Sequence, residues 1–463
     1  MISKIELGNF FYISIIIHAR RPVPNTSINN SLPSQITTTY PSMASTQLVR
    51  LQFSGWKRRS RVVGALDSSS SSSEVVIVGA GIAGLATAVS LQRLGIRSRV
   101  LEQAESLRTG GTSLTLSKNG WKVLDAIGVG NSVRSHFLQI QGVVIKSEDG
   151  RRLRSFSFKE EDPSQEVRAV ERRVVLESLA NELPSDAISF SSGLSKIIER
   201  RETSEMLLEL EDGSHLSAKV VIGCDGIRSR VAKWMGFSEP KYAGHMCFRG
   251  IGLYPEGLPF DQKVQYTYGR GVRAGFVPMS KSKIYWFVVF NSPSPGTKVG
   301  DPQFLRQQVQ ELTRSWSPQL LDIIDHTPNE TLVRTPLFDR WLWPLTSPPA
   351  SSGRAVVVGD AWHPMTPNLG QGACCALEDA IVVSKKLAGA IRSKSVSVEE
   401  ALREYERERW PRVFMLTIRA YLVGAFLQWD NPVVCYIRNN VIVPKLLKPG
   451  PMLKHTNFEC EPL

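Results

Sequence analysis

The period of apolar and polar positions changes repeatedly along the chain, and each change marks an element. Val75-Val76-Ile77-Val78 is an unbroken β-branched run, as a parallel strand covered on both faces requires. Beyond it Leu85, Ala88, Leu91 and Leu94 recur at helical spacing until Gly95 stops them. Residues 98–101 then predict a second strand, ending at Glu102. Two later apolar runs, Val220-Val221-Ile222 and Val356-Val357-Val358, lead into carboxylates, Asp225 and Asp360. Leu176 and Leu179 predict a helix after Arg172, and residues 399–426 are helical by their spacing. Residues 241–292 read instead as strands, with Val264, Tyr266 and Tyr268, then residues 274–278, then an aromatic run from Ile284 to Phe290. Such aromatic density suits a sheet roofing a flat pocket.

Composition narrows the class. With 463 residues, 42% hydrophobic and 21% charged, the chain is long enough for two or three domains with real cores, which excludes disorder, collagen and coiled coil as wholes. Six cysteines without a C-x-x-C spacing point to a reduced compartment and no zinc site. The formal charge of +13 is uneven: residues 1–73 hold eight basic side chains against Glu6 and Asp67. The remainder is mildly basic, without long Lys/Arg runs, so nucleic acid is not an expected partner. The leader is rich in Ser, Thr and Arg, poor in acids, and ends in six serines, the composition of an organelle transit peptide. Delivery to a chloroplast is the expectation, with Met43 as a possible second start. A secretory signal is the competing reading of the apolar run at residues 10–17, but Arg20-Arg21 follows without a small-residue cleavage site. After the leader no stretch reaches the ~18 uninterrupted apolar residues of a membrane span. Lys445, Lys448 and Lys454 in the Pro-rich end read as solvated, with peripheral contact to a membrane surface as the alternative.

Chemistry enters at Gly79-Ala80-Gly81-Ile82-Ala83-Gly84, which joins the first strand to the first helix. Glycines there let the backbone turn tightly and approach a pyrophosphate at a helix N-terminus, where free N–H groups and the helix dipole favour negative charge. Glu102, 21 residues after Gly81, is placed to accept from the adenosine ribose hydroxyls. Strand, glycine turn, helix, strand and acid together predict a dinucleotide site, and leave open whether it takes FAD or NAD(P).

Two later segments separate these. One is Gly223-Cys224-Asp225-Gly226-Ile227-Arg228; the other is Gly359-Asp360-Ala361-Trp362-His363-Pro364, continuing through Pro367-Asn368-Leu369-Gly370-Gln371-Gly372 to Glu378-Asp379. In this order the motifs resemble the single-component FAD-dependent aromatic hydroxylases, the group of salicylate hydroxylase, the flavin-dependent urate hydroxylases and plant zeaxanthin epoxidase. The resemblance covers residues 74 to about 430. It implies an α/β fold: a discontinuous Rossmann-type FAD-binding domain (residues 74–138, 167–240 and 350–395), a β-sheet substrate domain (139–166 and 241–349), and a C-terminal helical region with a tail (396–463).

The resemblance also implies roles. Non-covalent FAD would be held by Gly79, Gly81, Ala83, Gly84 and Glu102, with Asp360 on the ribityl hydroxyls and Arg172 close by. The backbone N–H groups of Gly370, Gln371 and Gly372 would face the flavin N1 and C2 carbonyl, where charge collects on reduction. Asp225, Gly226 and Arg228 would serve both FAD and a visiting NADPH or NADH. Arg273 and Tyr285 stand at the spacing with which the urate hydroxylases face their substrate. Plainer readings accompany several of these: Asp360 as a helix N-cap, Arg172 as a surface arginine, Arg273 and Tyr285 as ordinary strand residues, and His363 as a satisfied structural histidine. Family neighbours carry an aspartate after the proline equivalent to Pro367, whereas this chain has Asn368, an amide that cannot take a proton as a carboxylate can. That departure argues against urate.

The function implied is a monooxygenase. A nicotinamide would reduce FAD, dioxygen would add at the flavin C4a, and one oxygen atom would pass to an aromatic, heteroaromatic or olefinic small molecule in a pocket that excludes water. A urate hydroxylase, an isoprenoid epoxidase, reductase or cyclase, and a non-catalytic flavin protein are the rivals.

Overall fold

A computed structural model describes residues 73–108, 113–200, 202–297, 300–393 and 395–463. The expected transit peptide, apart from its last serine, lies outside the described residues.

The first strand, Ser73–Val78, is the middle of an eight-stranded sheet. It pairs in parallel with Ser98–Leu101 on one side and His215–Gly223 on the other, and the latter pairs in parallel with Ala355–Val357. Segments far apart in the chain therefore become neighbours. Val75, Val76 and Ile77 are fully buried, as are Val221, Ile222 and Val356, so both faces are covered and the continuous β-branched runs have their physical reason. Packed against the sheet lies the helix Ile82–Arg93, and the long helix Gly372–Ser393 packs along that helix. A hairpin, Leu194–Arg200 with Glu205–Leu210, extends the sheet in antiparallel fashion.

The second sheet has seven strands in the order Val333–Asp339, Lys241–Leu253, Lys283–Asn291, Val272–Pro278, Lys263–Tyr268, Gly142–Ser147 and Arg152–Ser157. Its two faces have different work. Phe248, Ala274, Phe276, Ile284, Trp286 and Val288 form one core cluster with the helices Pro302–Thr313 and Pro318–Asp325, which the pattern of the sequence did not disclose. The opposite face carries Tyr266, Tyr268, Arg273, Tyr285 and Phe287, because cross-strand partners point the same way. A two-stranded ribbon, Ser113–Leu116 with Arg168–Glu171, joins the parts of the nucleotide-binding unit. The helix Val398–Leu427 closes the assembly, packing along Gly372–Ser393. The α/β architecture with a second β-sheet and C-terminal helices matches the expected fold class.

Candidate active site

The glycine turn is built by exclusion. Gly79 has φ +105°, and a Cβ there would lie 2.6 Å from the Cys224 carbonyl oxygen. A Cβ on Gly84 would come within 1.9 Å of the Gly79 carbonyl oxygen, so only glycine lets the first helix start this close to the strand. Ala83, the small residue between them, packs at the same junction against Gly359. Glu102 ends its strand with one carboxylate oxygen accepting from Ala80 N–H at 2.8 Å and the other from Ala104 N–H at 3.0 Å. The acid thus fixes the glycine turn from beneath as well as standing at its mouth.

Arg172 opens the helix Arg172–Ala180 at the end of the ribbon. A Cβ on Gly81 would lie 3.9 Å from its Nη2, so the guanidinium stands over the glycine turn. Burial lowers its pKa, opposed by the charges of Asp360 and Glu102, and its Nε has no hydrogen-bond partner. A half-buried, under-bonded cation above a helix N-terminus fits a diphosphate. Asp360 lies in a short helical turn, Gly359–Ala361, at the end of the strand Ala355–Val357. Its side chain is open to solvent, yet enough protein surrounds it for desolvation to push its carboxyl upward, against His363 and Arg172. Solvent access together with dense surroundings is what a recessed cleft produces.

The turn Pro367–Leu369 follows, with Gly370 at φ +65° donating its N–H to the Pro367 carbonyl, and Gly372 opens the long helix. A Cβ on Gly372 would be 4.0 Å from Asp360 Oδ1, so the helix start and the carboxylate border the same space. The side chain of Gln371 points elsewhere: its Oε1 accepts from Asn119 Nδ2 at 2.8 Å, and the same amide donates to Glu378. The loop is anchored by that side chain and by the Gly370 N–H, leaving the backbone N–H groups of Gln371 and Gly372 as what it can present.

Asp225, Gly226 and Arg228 lie after the strand His215–Gly223. Asp225 Oδ2 accepts from the N–H groups of Arg230 and Val231, while Oδ1 is buried without a partner and desolvation pushes the carboxyl upward. Gly226 has φ +79°, and Arg228 is exposed.

Above this lies the sheet face. Arg273 is 5% exposed, and burial lowers its pKa against the opposing influence of Tyr268, Cys247 and Tyr266. Its Nη2 donates to Asn368 Oδ1, and Nε has no partner. Asn368 in turn donates through Nδ2 to Thr366 Oγ1 at 2.9 Å and to the Ala420 carbonyl at 2.8 Å. Tyr266 and Phe287 meet with ring centroids 6.2 Å apart, over Gly275, where a Cβ would collide with both rings. Tyr285 shares this face but pairs with Val277, four positions along the strand from Val289, the partner of Arg273. The neighbour of Tyr285 is instead Arg249, a residue the sequence did not bring forward, which Cys247 and then Tyr285 hold in its charged form. His245, near Arg273, is driven down to about 4 by burial and by that cation.

Beneath the loop is a buried ionic cluster. His363 Nε2 and Asp379 Oδ2 lie 2.5 Å apart, and both side chains are fully buried. Arg409 binds Asp379 and Glu378 at 2.7 Å each, and Arg412 binds Glu378. His363 is thus a structural residue. Arg409, also missed in the sequence, had a signal: it falls on the buried stripe of Leu402, Tyr405 and Val413.

With this geometry in hand, comparison with known proteins decides the family. A model of the FAD binding domain matches residues 72–420. The chain belongs to this FAD-binding family. Members similar to it include Monooxygenase 2 of Arabidopsis thaliana, 34% identical over 402 residues that cover 84% of this chain and 98% of that protein. The FAD-dependent urate hydroxylase of Klebsiella pneumoniae is 28% identical over 353 residues, covering 75% and 88%. Among solved structures, Klebsiella pneumoniae HpxO complexed with FAD and uric acid superposes with a TM-score of 0.73 at 24% identity, covering 83% of this chain and 96% of that one, which speaks for the fold. The chain is accordingly an FAD-binding oxidoreductase of the monooxygenase family.

Proposed function

We propose that the protein uses NADPH or NADH and dioxygen to insert one oxygen atom into a planar, electron-rich aromatic substrate that binds as an anion. The observation that carries this is Arg273: a buried cation on an aromatic wall, bonded to a neutral amide and influenced by Tyr268, Cys247 and Tyr266, none of them a carboxylate. A buried charge without a counter-charge favours an anionic ligand.

Bound FAD would supply the redox chemistry and the activation of oxygen. Arg172, Glu102 and Asp360 would hold its diphosphate, ribose and ribityl parts, and the N–H groups of Gln371 and Gly372 would stabilise negative charge on its ring. Arg273 would hold the substrate anion, and Tyr266 and Phe287 would stack on its ring and exclude water. Asn368 orients Arg273 and does not act as a base. That reading sets urate aside and favours an aromatic acid or phenol. Arg228, exposed beyond the Asp225 turn, would meet the visiting nicotinamide.

The test is titration of FAD-loaded protein with benzoate, salicylate and benzamide, followed through the flavin absorption spectrum. The acids should perturb the spectrum and stimulate NADPH oxidation; equal or stronger effects of the neutral amide would overturn the anion reading. We further propose delivery to a plastid, supported by the Ser-rich, acid-poor leader. A fluorescent fusion of residues 43–80 should enter plastids, and cytosolic fluorescence would refute it.

A further inference from the structure

The segment after the long closing helix carries an apolar stripe that faces outward. The helix Pro432–Ile437 continues into a π-helical stretch, Arg438–Leu446. Trp429, Val433, Tyr436, Ile437, Val441 and Leu446 are between 38% and 68% exposed. Val433, Ile437 and Val441 recur at intervals of four, which puts them on one side of the helix.

This exposure does not come from a loosely held end. Asn431 Oδ1 accepts from the N–H groups of Val433 and Val434, capping the helix. Arg438, fully buried, donates to the carbonyls of Leu427 at 2.8 Å and Gly269 at 2.7 Å. Val443 is buried, and the Pro444 carbonyl accepts from Arg154. The inner side is fastened to the substrate sheet while the outer side shows apolar side chains to water, an arrangement that marks an interaction surface.

Charge selects the occupant. Exposed Asp430, beside Trp429, is the one acid within residues 429–446, residues 431–458 contain no Asp or Glu, and Lys445 and Lys448 are exposed beside the stripe. The neighbouring hairpin adds exposed Arg151 and Arg152, and Arg151 Nη2 donates to Asn440 Oδ1 at 3.0 Å. Glu148 and Asp149 at the hairpin turn offset part of this, though Asp149 is engaged by Ser147 and by the Arg151 N–H. Two copies meeting through this stripe about a twofold axis would bring like charges together. An anionic lipid surface instead accepts the apolar stripe into its acyl boundary, the lysines and arginines at its phosphates, and Trp429 and Tyr436 at the interface between them.

We propose that residues 429–446 form a docking surface by which the folded enzyme binds the face of an anionic membrane without crossing it. Among the described residues no helix is long and apolar enough to cross one.

The test uses the full chain loaded with FAD and sedimented with vesicles of phosphatidylcholine alone or mixed with phosphatidylglycerol. Binding should require phosphatidylglycerol and weaken in high salt. The paired substitutions Val433→Ser with Ile437→Ser, and separately Lys445→Glu with Lys448→Glu, should each weaken it about tenfold or more. FAD content and NADPH oxidation in solution should not change. The lysine pair lies on the exposed side, so it remains informative even where the apolar pair lowers yield. Failure to bind mixed vesicles, or binding that ignores both pairs of substitutions, overturns the proposal. So does self-association of the wild type in the absence of vesicles that the Val433/Ile437 pair abolishes, which would assign the stripe to a second copy.

Discussion

Arg273, on the roofing sheet, is hydrogen-bonded through Nη2 to the side-chain oxygen of Asn368, in the turn that precedes Gly370. Asn368 itself donates to the Ala420 carbonyl of the closing helix, so a single amide ties the sheet, the turn Pro367–Leu369 and the C-terminal helix together. The position of the buried cation therefore depends on all three.

Arg273→Met keeps much of the volume and removes the charge. If the substrate anion rests on this guanidinium, the loss is that of a charge-assisted bond, about 1.5 to 3 kcal/mol, and KM should rise or kcat fall at least about tenfold. Absorbance should show FAD content unchanged, and kinetics as good as wild type would return Arg273 to a packing role.

Asn368→Asp places a carboxylate where the Arg273 charge now meets a neutral oxygen. The new acid cannot donate to Thr366 or to the Ala420 carbonyl, and its ion pair with Arg273 competes with the substrate anion. Binding of an aromatic acid, read by flavin absorption, should weaken about tenfold or more. Tighter binding would show that the substrate meets this site as a neutral molecule.

Asp360→Ala removes the carboxylate that borders the start of the long helix. FAD affinity should fall about tenfold to a hundredfold, the worth of a hydrogen bond to a charged group, and the protein should purify nearly colourless. Full flavin occupancy would place the ribityl contact elsewhere.

Asp379 sets an acid limit to stability. Burial alone would raise its pKa, but His363 and Arg409 together hold it down to about 2. An unfolded carboxyl near ~3.9 lies above that value, so the contribution is complete above about pH 4 and is lost as pH falls toward about 2. Denaturant midpoints measured across that window should fall with pH in the wild type. Asp379→Asn should be less stable at neutral pH and should lose this part of the slope; an unchanged slope would mean that another acid controls it.

The nucleotide half was legible in the sequence because its constraints are local. Four β-branched residues covered on both faces, and glycines at positions where a Cβ would strike Gly79 or Cys224, leave few alternatives. The upper half depends on pairings between distant segments. Gly424 reads as a weak point in a helix, yet a Cβ there would lie 2.0 Å from Asn368 Nδ2, 56 positions away in the chain. The resemblance to the urate hydroxylases had Arg273 and Tyr285 face one substrate, but the strand register sets them four positions apart, and Arg249, which pairs with Phe287, is a diagonal neighbour of Tyr285. Gln371 was legible as part of the loop, while the direction of its side chain was set by Asn119, on a helix encountered much earlier in the chain.

The most direct test of a monooxygenase built on this cleft is single turnover of the FAD-loaded enzyme with NADPH, an aromatic acid that perturbs its flavin, and isotopically labelled dioxygen, read by mass spectrometry of the product. The account predicts one labelled oxygen atom in the product for each NADPH consumed. Product without label, as from a reductase or cyclase, or NADPH consumed without any oxygenated product across the aromatic acids that bind, would contradict it.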